Sequence, residues 1–204
     1  MIVHGARNPV ENGFKVIHHN SWDKSPSMRD FKLAHAGEYI IRVRAAGRVP
    51  ARKDVVASAR IYLERQIADL RQKNKGREAD YRQRALPETL GHFENDFMYG
   101  YGPARLKLGI NLGGQPIVVD EYDVPNTIDK PGIFESRAKM STLPRAGIKI
   151  EYAYDIPKVL ENFWMQTGDD FKRPELLIDW VELEGPVHPA WPPLSHQLVL
   201  FDSP

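Results

Sequence analysis

The run Leu176-Leu177-Ile178-Asp179-Trp180-Val181-Glu182-Leu183-Glu184 constrains the fold more than any other stretch of the chain. Extended, it places Leu177, Asp179, Val181 and Leu183 on one side and Leu176, Ile178, Trp180 and Glu182 on the other. A strand that is apolar on most of both faces belongs inside a sheet with cover on both sides. Gly185-Pro186 stops it. Asp179 is the exception in the run. A carboxylate there needs a partner, because an unpaired buried charge is strongly destabilising or loses its charge. Three roles stay open for it: a structural hydrogen-bond acceptor, a metal ligand or a catalytic group. Trp180 reads as a core residue.

The remaining elements follow from the spacing of apolar residues. Phe14 to His18 alternates weakly, and Met28 to Leu33 reads as a half-buried strand. Glu38 to Ala46 alternates clearly, with Tyr39, Ile41, Val43 and Ala45 on one face. The period then changes. Val56, Ala59, Leu63, Ile67 and Leu70 trace one helical face, with Asp54 as the expected N-cap and Gly76 as the stop. That face is expected to lie across a sheet. A second helical piece is expected from Arg77 to Leu86, ended by Pro87. His92 to Gly102 reads as a structured loop. Its Gly100-Tyr101-Gly102 lacks the spacing of a phosphate-binding glycine motif. Strands return at 104–112 and 116–124 around a Gly113-Gly114 turn, then at 133–140 and 148–155. Short antiparallel strands in this number predict two packed sheets, with residues 52–86 as a helical insertion. The expected fold is thus all-β, a jelly-roll β-sandwich of two antiparallel sheets. The module is expected to span 1–186, and the Pro-rich stretch 187–204 to be an extended linker.

Composition removes several classes of chemistry. The chain has no cysteine, which excludes disulfides, thiolate zinc sites, a Cys nucleophile and covalently attached haem. Its histidines show no i, i+4 pairing suited to zinc, and no Gly-x-Ser-x-Gly nucleophile elbow occurs. Paired carboxylates such as Asp169 and Asp179 could in principle cleave a glycosidic bond, but at this composition such pairs arise readily by chance. A non-catalytic role is expected. No apolar run is long enough to span a bilayer, and the first residues do not form a signal peptide, so any export signal is expected on a longer parent chain. Net charge is +1, yet residues 48–86 hold 11 Lys or Arg against 5 Asp or Glu. That segment reads as the solvated outer face of a helix. No nucleic-acid motif accompanies it, and nucleic acid is not an expected partner.

Two groups of motifs carry a resemblance. Gly37-Glu38-Tyr39 leads into Arg42-Val43-Arg44, Ala146-Gly147 precedes a strand ending at Asp155, and Ile178-Asp179-Trp180-Val181-Glu182 comes last. In that order they resemble the jelly-roll carbohydrate-binding modules, most nearly the calcium-dependent xylan-binding type. Asp179 to Pro186 followed by Trp191-Pro192-Pro193-Leu194-Ser195-His196 is similar to a segment of Planctomycete-type cytochrome c multidomain proteins. The resemblance covers roughly residues 28–46 and 103–196 and omits the helical stretch. It implies an excised module of a larger periplasmic or extracellular protein that binds a plant- or algal-type polysaccharide. Neighbouring domains of the parent chain would be its other partners. The alternative is a ligand-free docking domain between those neighbours.

A glycan site of this kind needs aromatic plates for sugar faces and polar groups for hydroxyls. The candidate plates are Trp164, Tyr154, Tyr101 and Trp22. The resemblance also implies calcium, held by Asp155, Asp169, Asp170 and Asp179, which would be neighbours in a jelly roll. No haem is expected in this chain.

Overall fold

The computed structural model describes residues 9–17, 27–28, 33–112, 116–143, 146–153 and 172–188. Among the described residues nine strands form two sheets in which every pairing is antiparallel. The five-stranded sheet contains β1 (Val10–Glu11), β2 (Phe14–Ile17), β9 (Glu175–Glu184), β4 (Gly37–Arg48) and β7 (Gly132–Met140), in that spatial order. The four-stranded sheet runs β3 (Ser27–Met28), β8 (Gly147–Tyr152), β5 (Ala104–Asn111), β6 (Pro116–Val124). Of the segment expected as a strand from Met28 to Leu33, Met28 lies in β3, and residues 29–32 lie outside those described.

The core lies between the sheets. Ile17, Ile41, Val43, Leu176, Ile178 and Val181 face it from one side, and Leu106, Leu108, Ile110, Ile148 and Ile150 from the other. The organising strand is interior, as its composition requires: β9 sits between β2 and β4. Its side-chain alternation is not the simple one. Arg44 pairs with Trp180 and Ala45 with Ile178, so Asp179 is an extra residue with no counterpart on β4. Such a bulge resets the two-residue period. Leu176 and Ile178 point inward before it, and Val181 points inward after it, with Leu183 packed against the same core. Leu177 points outward, where it packs with Phe14, Val16 and Ala46 beneath Ile128. Trp180 therefore faces outward and is half-buried, not a core residue.

The open side of the sandwich, between β6 and β7, is closed by Tyr122. Its hydroxyl donates to the Glu135 carbonyl at 2.6 Å and lies 2.7 Å from Ser136 Oγ, while its ring packs on Phe134. This satisfies a carbonyl on an edge strand that could otherwise recruit another chain. At the far end of β4, Gly47 donates to the Asn126 carbonyl at 2.7 Å. A Cβ at Gly47 would run into the Val124 carbonyl, so only glycine permits this approach.

Helices α1 (Arg52–Gln72) and α2 (Gly76–Asn95) form a hairpin between β4 and β5. Three expectations are corrected here. First, α1 starts at Arg52 and not at an Asp54 cap, and Ala51 at the N-cap supplies no side-chain bond. The start is fixed from afar: the Arg52 guanidinium donates to the carbonyls of Phe93 at 2.9 Å and Asp96 at 2.6 Å. Asp54 lies in the first turn, where its charge favours the helix dipole. Second, α2 runs through Pro87 to Asn95. An interior proline costs about 3 kcal/mol. Leu86, Leu90 and Phe93, all buried, each return about 1.5–3 kcal/mol, which decides the matter. A 3-10 turn, Phe97–Tyr99, follows where a loop is expected. Third, α1 buries its apolar face mainly against α2. The cluster contains Val55, Ala59 and Ile67 from α1, Ala79, Leu86, Leu90 and Phe93 from α2, and Tyr99. Val56, Leu63 and Leu70, expected on the buried face, are only partly buried there.

Beyond β9 the chain stays attached to the sandwich. Val187 donates to the Glu38 carbonyl at 2.7 Å, one residue past the expected module boundary.

Candidate functional site

The outward face of the five-stranded sheet is built in rows by the β7–β4–β9 register. Ile133, Arg44 and Trp180 form one row, Glu135, Arg42 and Glu182 the next, and Arg137, Ile40 and Glu184 the third. Each arises because alternate residues of an antiparallel strand share a face and direct cross-strand partners stand side by side. The β6–β7 loop covers the neighbouring part of this face through Ile128.

Arg42 is the electrostatic centre. Its guanidinium contacts Glu135 at 2.6 Å, Glu182 at 2.7 Å and Glu184 at 2.7 Å. Those three carboxylates, Glu184 first, raise the Arg42 pKa further and keep it charged. Arg44 bonds the Asp179 carboxylate across the bulge. Arg137 lies 3.6 Å from Glu38, and Arg48 contacts both Glu11 and Glu175. A planar guanidinium holds carboxylates in fixed orientation, and each carboxylate keeps further lone pairs for other donors. Beside Trp180 the face thus offers an aromatic surface next to oriented acceptors. Acids outnumber arginines here, so the surface suits neutral hydroxyl groups better than anions.

Of the three roles open to Asp179, the structural one has a visible partner, Arg44. Calcium takes 6–8 oxygen ligands. Arg44 takes one oxygen of the Asp179 carboxylate. Among the described residues no group of three or more His, Asp or Glu is placed to hold a metal. Asp155, Asp169 and Asp170 lie outside the described residues, as do Trp22, Tyr154 and Trp164.

Tyr101 is placed away from the sheet face. It follows the 3-10 turn and packs against the hairpin cluster. Burial pushes its phenol up to about 12, and Tyr99 adds to the shift, while Arg52 and Arg173 oppose it. The raised value means that the folded state resists ionisation. Stability from this group is therefore complete below about pH 10 and falls as pH rises towards 12. Tyr101→Phe keeps the ring and removes the proton. Denaturant midpoints measured through that window should fall less steeply for Tyr101→Phe than for the parent, by about 2 kcal/mol at the alkaline end. Parallel curves would show that the phenol is not buried.

Sequence reasoning missed Trp180 and Arg42 as site residues. The bulge that turns Trp180 outward is a property of strand pairing, and its only sequence trace is the lone acid in an apolar run. No family model, curated protein or solved structure matches this chain.

Proposed function

We propose that the chain is a non-catalytic carbohydrate-binding module that takes a neutral, hydroxyl-rich polysaccharide across the outward face of its five-stranded sheet. The observation that carries this reading is Trp180, turned outward by the Asp179 bulge and set beside the Arg44–Asp179 and Arg42–glutamate pairs. An indole plate stacks on the apolar face of a sugar ring, and the oriented carboxylates accept its hydroxyl protons. Because the arginines already hold the carboxylates, binding needs little reorganisation. The motif resemblance supports a jelly-roll connection of the two sheets and a place in a larger exported protein.

The test is a glycan array followed by titration with the best neutral oligosaccharide, with and without a calcium chelator. Trp180→Ala should weaken binding at least tenfold, and Arg42→Gln should weaken it without abolishing the fold. Absence of binding to any glycan, or a Trp180→Ala variant that binds like the parent, would reject the reading. One feature favours the docking alternative: Phe97, 87% exposed, stands beside the partly exposed Met98. A chain that binds no glycan but associates with its parent's neighbouring domains through Phe97 would support that alternative.

A further inference from the structure

On the side of α2 opposite its buried residues, Arg77, Tyr81 and Arg84 follow each other at helical spacing. Ala79, Leu86, Leu90 and Phe93 face the hairpin core, which leaves this stripe as the outermost line of the helix. Tyr81 is 67% exposed, the largest value for any tyrosine among the exposed apolar residues. Several other cations of the hairpin stand within 4.0 Å of acids: Arg71 near Asp80, Arg82 and Lys75 near Glu78, and Arg60 near Glu64. Among the described residues neither Arg77 nor Arg84 has a carboxylate partner; Arg84 donates only to the Asp80 carbonyl, at 3.3 Å. Lys73 is exposed in the turn before α2, and Glu88 follows Arg84 at the next helical step.

We propose that this stripe is a contact surface for an anionic polysaccharide, with Arg77 and Arg84 pairing its acidic groups and Tyr81 stacking on the sugar between them. The two arginines stand about 10 Å apart along the helix axis, so they engage two acidic groups of one extended chain that flank an intervening sugar. Guanidinium forks suit carboxylate and sulfate oxygens, and an aromatic ring flanked by two cations suits a sugar whose face is apolar and whose rim is charged. The segment 48–86, with its excess of cations, adds long-range attraction. The sheet face repels the same polymer through its surplus of acids, so the two surfaces take different ligands. Nucleic acid is the weaker candidate, since one exposed tyrosine offers no succession of stacking platforms along a strand.

The experiment is affinity electrophoresis of the full chain in gels containing polygalacturonate, dextran sulfate, neutral xylan or single-stranded DNA. Polygalacturonate or dextran sulfate should retard the parent, and added salt should remove the retardation. The double substitution Arg77→Ala with Arg84→Ala should lower the affinity at least tenfold, and Tyr81→Ala about threefold. All lie on the exposed helix face, and unchanged melting curves would establish that the variants fold. Trp180→Ala should leave this retardation intact, which separates the hairpin surface from the sheet surface. No retardation of the parent by either anionic glycan, equal retardation of the arginine variant, or tighter retention by single-stranded DNA would each overturn the proposal.

Discussion

Deleting Leu177 should abolish cooperative folding, whereas deleting Asp179, two residues away, should leave the sandwich standing. In a central strand a one-residue shift sends every side chain to the opposite face. Asp179 is the exception because it is already outside the register between β4 and β9. Without it, Leu176, Ile178, Val181 and Leu183 still face the core, and Leu177, Trp180 and Glu182 still face out. The loss is the Arg44 bond and the local twist of the bulge, about 1–2 kcal/mol. Without Leu177 no register is satisfactory. If the bulge stays, Glu175 takes the inward place of Leu176. If the bulge closes, Asp179 enters the core and Ile178 leaves it. Either arrangement buries a carboxylate among apolar residues, and a buried charge without a partner is not tolerated. Circular dichroism melts of the two deletion variants decide the point. A cooperative transition for the Leu177 deletion, or its absence for the Asp179 deletion, would mean that the bulge is placed elsewhere.

Phe93→Ala should be the most damaging truncation in the helical hairpin. The ring is fully buried, stacks on Tyr99 with centroids 4.4 Å apart, and belongs to an apolar cluster distinct from that between the sheets. Replacing a buried Phe by Ala costs about 3–5 kcal/mol. Its carbonyl also accepts from Arg52, so disorder at this turn should spread to the start of α1. Because the two clusters are separate among the described residues, the damage should be local. Hydrogen exchange should accelerate across residues 52–95, while β4 and β5 stay protected. A loss below about 1 kcal/mol would mean that the site collapses around the missing ring. Equal loss of protection in hairpin and sheets would mean that the clusters fold as one unit.

The candidate site was legible only in part. The lone acid at Asp179 drew attention to β9, and Arg42 was visible as a polar member of an alternating strand. That Arg42 gathers three glutamates could not be read from spacing, because Glu135 and Glu182 come from strands distant in sequence and meet it only through the register. Tyr101, a candidate plate, packs partly buried against the hairpin cluster, and Phe97 nearby is the more exposed aromatic.

By itself the sequence determined where the chain is extended and where it is helical. Alternating apolar residues in 38–46 and 104–112 mark strands because side chains change face at every residue, and the Gly113-Gly114 turn marks 116–124 as the return strand. The three- and four-residue steps from Val56 to Leu70 mark α1 because they fall on one face of a helix. Only the tertiary structure decided the rest. Pro87 breaks an isolated helix, but burial of Leu86, Leu90 and Phe93 carries α2 past it. The start of α1 is set by carbonyls more than forty residues later, through Arg52. The outward turn of Trp180 follows from one unpaired residue between β9 and β4. Local pattern reports which faces a segment has, whereas pairing with distant segments decides which way those faces point.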